Sequence, residues 1–210
     1  MLSNFTKKYI LRRARKEKII IPQNYREILE NYCQIVTGYG YKLEFRKGRG
    51  LRYNRLGANA GWHKDCAIVA TPEWAYQLVT NPEADLPFRI TLGHELTHKE
   101  RNLIGFRLCT SKFYAWINEI HADYGASQKM FSGSRKALLD SICFKNNDTR
   151  KYGGCNKDTS SHPSWTKRKY YVENFDFDAN LIQQIAKDVN YKNSKGIERA
   201  CSYFQPIELK

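Results

Sequence analysis

Residues 94–98 read His94-Glu95-Leu96-Thr97-His98, the pattern HExxH, inside a stretch from Leu86 to Asn102 whose apolar spacing predicts a helix. On a helix, positions i and i+4 share one face, so both imidazoles can bind a single zinc ion. Glu95, one position along, projects beside that metal, where its carboxylate can take a proton from a water molecule. Ile90 and Leu92 before the motif and Leu96 within it supply the apolar face that holds such a helix against a core.

A catalytic zinc needs a third protein ligand, and the next predicted helix, Lys112–Phe131, contains a candidate. Its apolar residues Phe113, Trp116, Ile117 and Ile120 fall on one side, and Asn118-Glu119-Ile120-His121-Ala122-Asp123 runs through its middle. Glu119 and Asp123 are again i and i+4. Packed against the first helix, Glu119 can reach the zinc while Asp123 accepts the remaining N–H of a ligating His, fixing its tautomer and ring direction. Taken alone, two acids at this spacing read as a solvated face; after HExxH and 20 intervening residues (99–118), the ligand reading is favoured. His121, two positions from Glu119, faces another side and reads as structural or exposed.

Together these segments resemble the gluzincin zinc metallopeptidases, in detail the family of the CAAX prenyl proteases and HtpX-type heat-shock peptidases. Three further stretches carry the resemblance. Asn59-Ala60 followed by a short apolar strand ending in Thr71 is similar to that family's segment before a helix. Ala122-Asp123-Tyr124-Gly125-Ala126 resembles its continuation after the third ligand, and His162-Pro163-Ser164 with Arg168 resembles its HPS…R segment. The match spans about residues 59–170. It implies a zincin-like domain with one Zn²⁺ per chain held by His94, His98 and Glu119, with Glu95 as general base. His162 or Arg168 would stabilise the oxyanion. Arg168 could instead pair with an acid and hold the site together, with Tyr152, Tyr170 and Tyr171 as alternative donors.

Working outward, Cys66–Thr71 (CAIVAT) is a short continuous apolar run that reads as a buried strand. By the same resemblance, Ala67, Ile68, Val69 and Ala70 would form the edge on which an extended substrate lies by strand addition. Pro72 opens a helix through about Val79. Earlier, Tyr25, Ile28, Leu29, Tyr32, Ile35 and Val36 follow helical spacing up to Gly38, and Tyr41–Arg46 reads as a strand. Gly48–Gly61, rich in Gly, Arg and Asn, reads as loop, with His63 in a loop before the CAIVAT strand. After the motif helices come a short helix around Arg135–Phe144, a polar loop over 145–161, and closing helices at Ser164–Phe175 and Ala179–Val189. Strands early and helices late indicate α+β: a small mixed sheet with an edge strand over the HExxH helix, then a mainly helical C-terminal part.

Composition limits the alternatives. The 210 residues are 41% hydrophobic and 27% charged, values of a globular chain able to bury its own core. Its apolar runs are far shorter than the roughly 20 residues of a membrane span. The first residues lack the apolar core of a secretory signal, so a cytoplasmic location is expected. The six cysteines have no CxxC spacing and read as mostly reduced and buried; Cys143 and Cys155, around a Gly-Gly turn, are the one tempting pair.

The net charge is +14, and residues 1–18 hold seven Lys/Arg against one Glu. Residues 1–22 therefore read as a basic N-terminal segment ending at Pro22, and 23–210 as a single zincin-like domain. The expected function is zinc-dependent hydrolysis of peptide bonds, with a protein or peptide as substrate. The alternative is a basic, nucleic-acid-associated protein with a structural or narrowly specific zinc site.

Overall fold

A computed structural model describes residues 2–46, 60–63, 67–100, 111–151 and 156–210, with only the backbone of 60–63. The chain begins with α1 (Asn4–Glu17) and α2 (Tyr25–Gly38), followed by β1 (Lys42–Phe45), β2 (Ala60–His63) and β3 (Ala67–Ala70). Helices α3 (Pro72–Thr80), α4 (Asp85–Glu100), α5 (Lys112–Phe131), α6 (Arg135–Lys151), α7 (Trp165–Asn174), α8 (Ala179–Asp188) and α9 (Ser194–Tyr203) complete it. This is α+β, with one small mixed sheet early in the chain and helices after it.

Local chemistry sets the element ends. Ser3 caps α1 by accepting from the Thr6 N–H, and Lys18, at φ 56°, closes it in the left-handed region. Pro72 starts α3, where its missing N–H costs no helical bond. Ser111 caps α5 at Tyr114, and Ser164 caps α7 at Lys167. Gly133, at φ 83°, follows the end of α5 and lets the chain turn directly into α6.

The sheet order is β1-β3-β2, with β1 parallel and β2 antiparallel to β3. Lys42 pairs with Ala67 and Phe45 with Ala70 on one side, while Ala60 pairs with Ala70 and His63 with Ala67 on the other. The edge role expected for Ala67, Ile68, Val69 and Ala70 is therefore corrected. β3 is the central strand, buried along its whole length, and both rows of its backbone groups are engaged. No peptide can add to it. His63, with Ala60 and Gly61, belongs to strand β2 instead of the expected loop. Asn59 and Cys66 lie outside the described residues.

The division at Pro22 is also corrected. Ile10 and Ala14 of α1 are buried in the same core as Leu29, Val36, Leu43, Phe45 and Trp74, and the Thr6 hydroxyl donates to the Phe45 carbonyl at 2.7 Å. Only one side of α1 is basic and solvated; its other side is a wall of the domain. A second core gathers α5 and the later helices around Trp116, Tyr124, Tyr171 and Phe177. Between them runs α4, giving Phe88, Leu92 and Leu96 to the first core and Ile90 to the second.

Further along, α6 extends to Lys151, beyond the helix expected to stop at Phe144, and α9 follows where no element was foreseen. The C-terminal strand-like tail is tied back by Lys210 N–H to Gly133 O at 2.7 Å and Arg135 N–H to Lys210 O at 2.8 Å. Cys33, Cys143 and Cys201 are free thiols; Cys155 lies outside the described residues.

Candidate metal centre

Two glycines set the distance between the helices that carry the motif. A Cβ on Gly93 of α4 would lie 2.9 Å from the Ala126 Cα, and one on Gly125 of α5 would lie 2.6 Å from the Thr97 Cγ2. Thr97 cannot swing away, because it is buried and its hydroxyl donates to the Gly93 carbonyl at 2.8 Å. The backbones of α4 and α5 thus meet more closely than side chains with a Cβ would allow. The His94/His98 face of α4 and the Glu119/Asp123 face of α5 are brought together by that approach.

The result is a convergence of ligand atoms. His94 Nε2 and His98 Nε2 are 2.9 Å apart, His98 Nε2 lies 3.3 Å from Glu119 Oε1, and His94 Nε2 lies 3.5 Å from Glu119 Oε2. Four ligands about 2.05 Å from a tetrahedral zinc would be roughly 3.3 Å from one another. Three donors spaced this way fit that ion. Among the described residues, this is the group of His, Cys and acidic side chains arranged to hold a metal.

A second layer of contacts orients the donors. His94 Nδ1 meets Asp123 Oδ1 at 2.7 Å; with the proton on Nδ1 donated to this carboxylate, Nε2 keeps its lone pair for a metal. Arg168 lies over the other side of both acids. Its Nη1 donates to Asp123 Oδ1 and Oδ2 at 3.1 Å each, and its Nη2 donates to Glu119 Oε2 at 2.8 Å. Of the two roles left open for Arg168, the structure shows the pairing with acids. Buried against the Trp165 ring at 4.8 Å, it is part of the frame of the site.

Charge and burial compete at every member. Burial opposes a charged His94, but the Asp123 and Glu119 carboxylates outweigh it and raise its pKa to about 10 in the metal-free protein. Burial acts to raise Glu119 too, yet hydrogen bonds from His94 and His98 and the Arg168 charge hold it well below the usual carboxylate range. Glu95, on α4 beside the ligands, is pushed up chiefly by burial. That direction suits a group that must hold a proton and release it.

His162 stands at the rim. A turn containing Thr159 brings it there: Trp116 Nε1 donates to the Thr159 carbonyl at 3.0 Å, and the His162 N–H donates to Thr159 Oγ1 at 2.8 Å. His162 Nε2 then lies 3.6 Å from Glu119 Oε2 with its side chain largely exposed. Partial desolvation at this rim lowers its pKa, against the raising effect of the Glu119 carboxylate. Neither Tyr170 nor Tyr171 lines this region. Tyr171 is buried and donates to Asp188 at 2.6 Å, Tyr170 points to solvent, and Tyr152 lies outside the described residues. His121 is structural, packed on Phe177 at 4.9 Å and Phe204 at 5.2 Å.

A cavity of about 170 Å³ opens beside the ligands, between α4, α6 and α7. Glu95, His162 and Arg168 reach it from one side and Leu138, Ile142 and Lys145 of α6 from the other. Lys145 was missed in the sequence because the helix was expected to end at Phe144, seven residues before α6 ends at Lys151. Its signal was present, since 138, 142 and 145 are i, i+4 and i+7 on one helix face. No family model, curated protein or solved structure matches the chain.

Proposed function

We propose that the chain is a zinc-dependent peptidase of gluzincin type, with His94, His98 and Glu119 as the zinc ligands. The convergence of these three donors to within 3.5 Å, with Glu95 one position from His94, carries the reading. A structural zinc site closes around four protein ligands and has no need of an adjacent non-ligand carboxylate. Bound there, zinc would supply Lewis-acid polarisation of a carbonyl and would acidify water.

The chain's own residues do the rest. Glu95 takes the proton of the attacking water and delivers it to the leaving amine, a role that its raised pKa favours. Asp123 holds the His94 ring in one tautomer, and Arg168 balances the two buried acids so that neither repels the other. His162, at the rim, is the donor for the oxygen that becomes negative when the carbonyl is attacked. Because β3 is central, an extended peptide would instead align on β2, the outer strand packed against α4.

The test is cleavage of a peptide library by zinc-loaded wild type beside Glu95→Gln, with elemental analysis of both. One zinc per chain in both proteins and cuts by wild type alone are expected. Equal cutting by the two, or one bound zinc with no cutting by wild type, would refute the reading.

The alternative reading, a nucleic-acid-associated protein, rests on the exposed Lys8, Arg12, Arg15 and Lys16 of α1. It requires DNA affinity that falls steeply with salt and drops when these four are neutralised. No described helix is long and apolar enough to cross a membrane.

A further inference from the structure

The basic residues of α1 share their side of the helix with apolar side chains that water covers. Phe5 is 53% exposed, Leu11 51% and Ile20, just past the helix end, 93%. Of the large hydrophobic side chains left exposed among the described residues, Tyr39, Tyr170 and Tyr203 are scattered along the chain. The others, Phe5, Leu11, Ile19 and Ile20, all lie on α1 or directly after it. A tyrosine has a polar tip for water; phenylalanine, leucine and isoleucine have none, so four of them gathered in one place mark a surface that meets a partner.

Helical geometry mixes these residues with cations. Thr6, Ile10 and Ala14 bury one side of α1 in the domain. On the other side Lys8, Arg12 and Arg15 stand at i, i+4 and i+7, with Phe5 a turn before Lys8 and Leu11 a turn before Arg15, and all five are exposed. The one acid of α1, Glu17, is bonded to Arg13 at 2.8 Å and to Tyr76 at 2.7 Å instead of to these cations. Lys18 in the left-handed region and the Ile19 N–H donating to the Ala14 carbonyl at 2.9 Å fix where Ile20 leaves the helix.

We propose that this side of α1, together with Ile20, is a docking surface for an anionic lipid bilayer. Cations alone would fit any polyanion. The apolar side chains among them discriminate: a nucleic acid backbone pairs with Lys8, Arg12 and Arg15 but leaves Leu11 and Ile20 facing phosphate and water. A bilayer accepts both kinds, holding the cations among anionic headgroups and the apolar side chains at the first acyl carbons. Because the core covers the other side of α1, the helix cannot be enclosed by a partner's groove. One side of a helix about 20 Å long meets a flat surface. Attachment of this kind is peripheral, and it depends on neither the zinc site nor the peptidase reading.

The full-length protein is floated with vesicles of phosphatidylcholine alone and with vesicles that also contain about 30% phosphatidylserine. The anionic vesicles are expected to bind about tenfold more tightly than the neutral ones. Leu11→Ser with Ile20→Ser keeps every charge and should weaken that binding about tenfold. Lys8→Gln with Arg12→Gln and Arg15→Gln should reduce it to the level of neutral vesicles. All these side chains are exposed, and unchanged thermal unfolding shows that each variant is folded; Ile20→Ser alone, outside the helix, repeats the apolar test if the pair is not.

No binding to either vesicle, equal binding to both, or full binding by folded apolar variants would overturn the proposal. Absence of vesicle binding joined to duplex DNA affinity that only the charge variant abolishes would overturn it in favour of a nucleic-acid surface.

Discussion

Two clusters of charge are built into the molecule, one between α1 and α3 and one between α4, α5 and α7, and both contain a carboxylate held by an arginine. Around Glu73, between α1 and α3, each partner is a donor. The Tyr9 hydroxyl and the Arg13 guanidinium donate to one oxygen, and Gln77 Nε2 reaches the other at 3.4 Å. Arg13 extends the network to Glu17 at 2.8 Å, where Tyr76 also donates at 2.7 Å. Donors and acceptors alternate around the two carboxylates, each of which accepts from an arginine and a tyrosine.

Around Glu119 the pattern is different. Two imidazole nitrogens and a carboxylate, all able to offer lone pairs, converge to 2.9–3.5 Å. Three acceptors cannot satisfy one another; a proton or a cation must stand among them. With no metal there, the Asp123 and Glu119 carboxylates favour a proton on His94, which resolves the conflict. Burial of charge alone thus distinguishes nothing. A surplus of lone pairs directed to one point is what marks a metal centre, while alternation marks a structural brace.

The contrast can be broken at several points. The largest effect belongs to Glu95→Gln, which should lower peptide turnover by about 10²–10⁴-fold, the usual worth of a general base, with zinc content unchanged. Asp123→Ala removes the acceptor of His94 and should weaken zinc binding roughly 10- to 100-fold in a competition titration. Arg13→Met, by comparison, removes the cation beside Glu73 and should cost about 1–3 kcal/mol in urea unfolding while leaving zinc affinity within about twofold.

Proton linkage sharpens the comparison. His94 is raised to about 10 without metal, so at neutral pH the bound metal must displace a proton. Zinc affinity should rise about tenfold per unit from pH 6.5 to 7.5, with proton uptake by the buffer seen in calorimetry. The stability that protonated His94 lends the metal-free protein has the opposite sign: fully present below about pH 6.5, it is lost as pH rises toward 10. A flat affinity profile would mean that the site is not assembled before metal arrives.

A last effect is expected at the helix contact. Gly125→Ala places a methyl against Thr97, which is locked by its bond to Gly93. It should destabilise the protein by about 1–3 kcal/mol and weaken zinc binding by spreading α4 from α5. Unchanged affinity would show that the glycine approach does not set the ligand spacing.

Much of this was legible in the chain itself. HExxH states that His94 and His98 share a helix face, because 3.6 residues per turn make i and i+4 neighbours whatever surrounds them. The same periodicity paired Glu119 with Asp123 and gave the limits of α5, Lys112–Phe131, since local spacing and caps are properties of short segments. What spacing could not say is which strand lies in the middle. CAIVAT reads as buried in any position, and only the parallel pairing with β1 and antiparallel pairing with β2 made β3 central. Nor could it say that the basic α1 hides Ile10 and Ala14 in the main core, or that Lys145 of α6 lines the same cavity as Glu95. Those are contacts between residues far apart in sequence. They depend on how closely whole helices approach, and at Gly93 and Gly125 that approach was decided by two absent side chains meeting in the folded protein.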